Sequence, residues 1–148
     1  MKIKEITRQL PARTGGRKGR TMTPQQKIKH MILLRAYAGD DKKQLPEITA
    51  ANIDELYDQE EDLWDVRSEV RGGEVETDIE HELSRHYEAK SVAAKAPDGS
   101  WVGWTYWYGG GKHGEPEAID WMSGAYDLTV TEKEVTITQR TFTKVARV

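Results

Sequence analysis

The run Trp101–Tyr108, WVGWTYWY, constrains this chain more than any other stretch. A β-strand sends successive side chains to opposite faces. Here Trp101, Thr105 and Trp107 share one parity, and Val102, Trp104, Tyr106 and Tyr108 share the other. A sheet covered by helices on one side needs only one apolar face. Aromatic rings on both parities therefore imply that some enter the core while others lie outside it. Two readings follow. Either the segment Gly109–Trp121 folds back over the outer rings, or those rings form a platform for another molecule. Trp and Tyr offer large, rigid area at low entropic cost and dominate binding hot spots. On the second reading the contact residues are Trp104, Tyr106 and Tyr108, with Lys112 and His113 in the loop beyond. Both a protein surface and a single-stranded nucleic acid suit such a platform.

The strand has clear punctuation on both sides. Ala96-Pro97-Asp98-Gly99 is a tight-turn signal, in which Pro presets one dihedral and Gly supplies the left-handed one. It joins a preceding strand over Tyr87–Ala96, whose face is ambiguous because Ala falls on both parities. After Tyr108 comes Gly109-Gly110-Gly111-Lys112-His113-Gly114. This loop lacks the GxxxxGK[ST] spacing of a phosphate cradle, and no helix with a Ser or Thr follows Lys112. Three Gly after an aromatic strand point instead to a sharp turn or a close backbone approach. Glu117–Met122 has room for one helical turn. A second hairpin is expected from Tyr126–Thr131 and Val135–Thr143, turning at Glu132-Lys133-Glu134.

Upstream, the periodicity is helical. Thr23 as N-cap, Pro24 at the first helical position and Gln26 as the capping-box partner start a helix that runs to Ala38 and stops at Gly39. Its buried stripe is Ile28, Met31, Ile32 and Leu34, with Lys27, Lys29 and Arg35 in water. A second helix starts at the Asn52–Glu55 capping pair and ends at Gly72-Gly73. Ile53, Leu56, Tyr57, Leu63, Trp64 and Val70 repeat on its inner face, and its outer face is acidic. Met1–Leu10 reads as a short edge strand, followed by the basic, Gly-rich stretch Ala12–Arg20. The expected architecture is a basic arm over residues 1–22 and one α+β domain over 23–148. In that domain two helices pack on an antiparallel sheet of about four strands.

The net charge of −3 conceals an asymmetry. Residues 1–36 carry ten Lys or Arg against Glu5 alone, whereas residues 37–82 carry sixteen Asp or Glu against four bases. These regions either face one another within the chain or serve outside partners. In the arm, Arg13, Arg17, Lys18 and Arg20 are placed to track phosphates. An overall pI near 5.8 weighs against a dedicated nucleic-acid binder. The acidic helix offers the converse idea, a row of carboxylates that imitates a phosphate backbone.

Other chemistry is thinly supported. The absence of Cys removes disulfides, thiolate zinc sites and cysteine nucleophiles. No apolar run is long enough to span a bilayer, and no secretory leader is recognisable. His81, His86 and His113, with Asp78, Glu82 or Asp120, form no compact metal motif. Asp78 with Glu88-Ala89-Lys90 matches the D…ExK pattern of metal-dependent nucleases, a pattern that short sequences meet by chance. No nucleophile elbow or triad order is present. No cofactor is expected.

The block from Trp101 to Glu117, WVGWTYWYGGGKHGEPE, resembles a segment of small proteins from tailed phages and prophages that carry no assigned function. The likeness extends from His86 onward. It implies a phage or mobile-element accessory protein. Such proteins often act in the host cytoplasm by binding a host protein or nucleoprotein complex, including components of antiviral defence. The expectation is therefore a non-enzymatic binding protein without a membrane partner. The alternatives are a nucleic-acid binder using the arm and the aromatic strand, and, more weakly, a metal-dependent nuclease.

Overall fold

The computed structural model describes the backbone of residues 2–8 and all of residues 21–39 and 44–147. The chain is α+β. In order it forms strand β1 (Lys2–Arg8), helices α1 (Pro24–Ala38), α2 (Ile53–Gln59) and α3 (Trp64–Arg71), then strands β2 (Val75–Thr77), β3 (Glu88–Lys95), β4 (Trp101–Tyr108) and β5 (Tyr126–Glu134). All strand pairings are antiparallel, in the order β1-β5-β4-β3-β2. The first strand of the expected arm thus lies at the sheet edge. Arg13, Arg17, Lys18 and Arg20 lie outside the described residues, as does most of the loop 40–45.

Helix α1 begins as its sequence dictates. The Thr23 hydroxyl accepts from the Gln26 amide at 3.2 Å, and the Gln26 side chain accepts from the Thr23 amide at 3.0 Å. Ile28, Ile32 and Leu33 are fully buried. Lys27, expected in water, is buried as well, because its ammonium reaches Asp127 of β5 at 2.8 Å. Its aliphatic stem lies in the protein while the charge meets a half-exposed carboxylate, which avoids an unpaired buried charge. Two other bases of α1 pair with the acidic middle: Lys29 with Asp54 at 2.9 Å and Arg35 with Glu69 at 3.3 Å. Part of the charge asymmetry is therefore resolved inside the chain.

The expected second helix is two helices. The path breaks between Gln59 and Trp64, where Asp62 adopts a left-handed φ of 63°. Asp tolerates that region better than most residues. A continuous helix would also stack Asp58, Glu61, Asp62 and Asp65 at repelling three- and four-residue spacings. The Tyr37 hydroxyl donates to Glu60 at 2.8 Å and ties the break to α1. The Asn52 side chain does not cap α2; it accepts from the Thr49 amide at 2.7 Å. The break also swings Trp64 outward, leaving it 57% exposed rather than on the inner face.

The hairpin of β3 and β4 forms as read. The Gly99 amide donates to the Ala96 carbonyl at 2.9 Å, and Lys95 faces Trp101 in register. That register sets Val92 opposite Trp104 and Ala94 opposite Val102, and these four pack with Ile28, Ile32 and Val70 beneath the helices. On the other face Ala93, Trp101 and Leu128 form a smaller cluster with Val75, Ile79, Tyr126 and Val130 around it. Both faces are apolar, which explains why Ala occupies both parities of β3. Gly103 belongs to this arrangement: a Cβ there would lie 2.5 Å from the Tyr126 ring.

The second expected hairpin does not form. Residues 126–134 are one continuous strand whose register partner is β1, from Leu128 opposite Arg8 to Glu134 opposite Lys2. Glu132-Lys133-Glu134 lacks Gly, Pro or Asn to turn the chain. Among the described residues, 136–147 join no strand of the sheet. Among the described residues no helix is long and apolar enough to cross a membrane.

Candidate functional site

The two ends of β4 have different surroundings. Trp101, Val102, Gly103 and Trp104 are buried; Thr105, Tyr106, Trp107 and Tyr108 are half-buried. Trp104 is fully buried, its ring centroid 5.3 Å from that of Trp121, and its indole N–H donates to the Arg71 carbonyl at 2.9 Å. It is a core residue. Placing it among the partner contacts was wrong, because its parity points under α1 and α3 where the cover is complete.

Arg71, the last residue of α3, marks where that cover ends. Its guanidinium is buried, donates to the Trp107 carbonyl at 2.8 Å, and lies 4.5 Å from the Tyr106 ring centroid. Glu117 approaches it at 3.9 Å. Beyond Arg71 helix α3 no longer covers the sheet face, and the 3-10 turn Pro116–Ala118 contacts β4 instead. There Tyr106 and Tyr108 stack with centroids 5.9 Å apart and planes 28° from parallel. The Lys90 ammonium of β3 sits 5.5 Å and 5.9 Å from the two rings. Register explains the meeting, since Lys90 faces Tyr106 and Glu88 faces Tyr108. Each cation–ring contact at a partly solvated site contributes about 0.5–1 kcal/mol. The result is a pair of stacked rings, bounded by Lys90 and held from behind by the buried Arg71 guanidinium.

The Gly loop closes the same end of β4. Gly109, Gly110 and Gly111 take φ of 77°, 87° and 70°, a left-handed run that other residues enter only with strain. The Gly110 backbone lies so close to Tyr87 that a Cβ would stand 2.5 Å from its ring. The Tyr87 hydroxyl accepts from the Glu115 amide at 3.2 Å, which pins the loop to the strand. Close approach is thus the role of Gly110, whereas at Gly109 and Gly111 the left-handed backbone alone calls for Gly. The single 3-10 turn Gly111–His113 leaves Lys112 and His113 exposed just past Tyr108. Trp107 points to the opposite face, where it lines a shallow groove with His81, Asp120 and Tyr126.

Glu88 and Lys90 share a strand face, as alternation requires, and Asp78 lines one groove with Lys90. Among the described residues no group of three His, Asp or Glu side chains is placed to hold a metal ion. His81 and Asp120 approach the Trp107 groove, whereas His86 and His113 are exposed elsewhere. Asp120 is held below the usual carboxylate range chiefly by hydrogen bonding from Ser123.

Arg71 and Lys90 were not anticipated at this site. Lys90 was legible: counting back across the Ala96–Ser100 turn puts it opposite Tyr106. Arg71 was not, since its position depends on where the broken acidic helix ends. Comparison with protein-family models, with curated proteins and with solved structures finds no match for this chain.

Proposed function

We propose that this chain is a non-enzymatic phage or mobile-element accessory protein that binds and modulates a host protein or nucleoprotein complex in the host cytoplasm. An inhibitor of host defence is the narrowest form of that reading. The observation that carries it is the Tyr106–Tyr108 pair, two stacked and partly solvated rings flanked by Lys90 and backed by Arg71. Their rigidity lowers the entropic cost of contact, and the bordering cations suit a partner with acidic groups beside an apolar patch. Lys112 and His113 extend the surface along the Gly loop. The phage origin rests on the resemblance of Trp101–Glu117.

Affinity capture from host lysate tests this reading, with Tyr106→Ala/Tyr108→Ala chain as the matched control. A specific partner retained by the native chain and lost with the double variant supports it. Equal capture by both chains contradicts it.

The same cation-flanked rings favour a second reading, direct binding of single-stranded nucleic acid, with bases stacked on Tyr106 and Tyr108 and phosphates on Lys90 and on Arg13, Arg17, Lys18 and Arg20. Gel retardation that weakens steeply with salt and disappears on replacing those four arginines and lysines with Ser separates it from the first.

A further inference from the structure

The segment after β5 has the composition of a strand. Eight of the eleven residues from Val135 to Val145 are Val, Ile, Thr or Phe, the types that favour extended pairing. Yet among the described residues no strand pairs with 136–147. Ile137, Phe142 and Val145 stand 55%, 89% and 84% exposed. An apolar, β-prone segment left in water in this way is a template for pairing with another chain.

The opposite edge of the sheet complements it. Among the described residues strand β2 is hydrogen-bonded to β3 alone, and no strand lies on its other side. From Glu74 to Glu82 every second residue is acidic and exposed, while Val75, Thr77, Ile79 and His81 between them are half-buried. Leu83 ends the row at 92% exposure. The C-terminal segment carries Arg140, Lys144 and Arg147 and no acid. Its Arg140 and Lys144 are four residues apart on one parity, the spacing of Glu76 and Glu80. Ile137 and Val145 fall on the other parity, as do Val75, Ile79 and Leu83 on theirs. A strand laid beside β2 and the residues that follow it to Leu83, in this phase, sets Arg140 and Lys144 on the acidic face, with Phe142 between them, and Ile137 and Val145 on the apolar face.

We propose that the C-terminal segment of one copy adds as a sixth strand to the β2 edge of a second copy, and that two such additions related by a two-fold axis form a homodimer. Within one chain, β5 and β2 are separated by β4 and β3. Moreover, β5 runs past its last β4 contact, Leu128–Trp101, before the segment begins. The segment therefore departs away from its own β2 edge, and a second copy supplies that edge without a reversal of the chain. Two-fold exchange makes every contact twice.

The test is the mass of the full-length chain by sedimentation equilibrium, with two charge-reversed variants. One carries Arg140→Glu and Lys144→Glu; the other carries Glu76→Lys and Glu80→Lys. All four positions are exposed in the monomer, and circular dichroism checks that each variant folds. The native chain is expected to dimerise, and each variant alone to show a dissociation constant at least about tenfold higher. An equimolar mixture of the two variants restores both complementary contacts and is expected to dimerise like the native chain. A native chain that stays monomeric, variants as tightly dimeric as the native chain, or a mixture that remains monomeric would each overturn the proposal.

Discussion

The buried and the half-open ends of β4 use the same residue types to different ends. Trp101–Trp104 and Thr105–Tyr108 are similarly aromatic and share one strand, one hairpin and one twist. What separates them is the reach of the helices. Over Trp104 the layer of α1 and α3 is complete, and its ring contributes to the core. One residue pair further along the same face, α3 has ended at Arg71, and Tyr106, half-buried against the same core, has a guanidinium over its ring. Ring density alone therefore says little about contact with partners. The position of a helix terminus decides which rings serve stability and which remain available.

That contrast is open to direct disruption. The largest effect is expected from Trp104→Ala, which empties the core and orphans the Arg71 carbonyl; it should cost about 3–5 kcal/mol in chemical denaturation. Gly103→Ala forces a Cβ against the Tyr126 ring and should cost about 1–3 kcal/mol by the same measurement. Arg71→Met keeps much of the packed stem but leaves the Trp107 carbonyl without its donor, and should cost about 1–3 kcal/mol. It should also loosen the Tyr106 ring, which line widths in aromatic NMR spectra report. Tyr108→Ala, at the open end, should cost about 1 kcal/mol or less.

The smallest effect concerns pH. Burial lowers the His30 imidazole below its ordinary value, against an opposing pull from the Asp98 carboxylate. The unfolded chain then binds a proton before the folded one does. Stability is fully present above the unfolded pKa of about 6.5 and declines as pH falls through it. Denaturation midpoints at neutral pH and about pH 5 should differ less in His30→Gln than in the native chain.

Much of the local structure was legible because local chemistry decides it. Thr23, Pro24 and Gln26 satisfy a helix start by themselves, and Pro97-Asp98-Gly99 turns the chain wherever it stands. The places where the reading departed from the fold depend on distant partners. Lys27 is buried because Asp127, a hundred residues later, is there to meet it. Val135–Thr143 alternates like a returning strand, but β5 already has β1 on that side. The acidic helix divides where repulsion and a left-handed Asp62 outweigh its apolar period. At the candidate site, Tyr106 and Tyr108 were visible as rings, whereas the fate of Trp104 depended on where α3 stops.

The most direct test of the central claim, that the half-buried end of β4 is a contact surface, is the affinity of the captured host partner for three chains: native, Tyr106→Ala/Tyr108→Ala, and Trp64→Ala as a control for an exposed ring elsewhere. The account predicts that the tyrosine double variant remains folded and binds at least about thirtyfold more weakly, a loss of about 2 kcal/mol or more, while Trp64→Ala binds as the native chain does. Unchanged affinity in the folded double variant would contradict it.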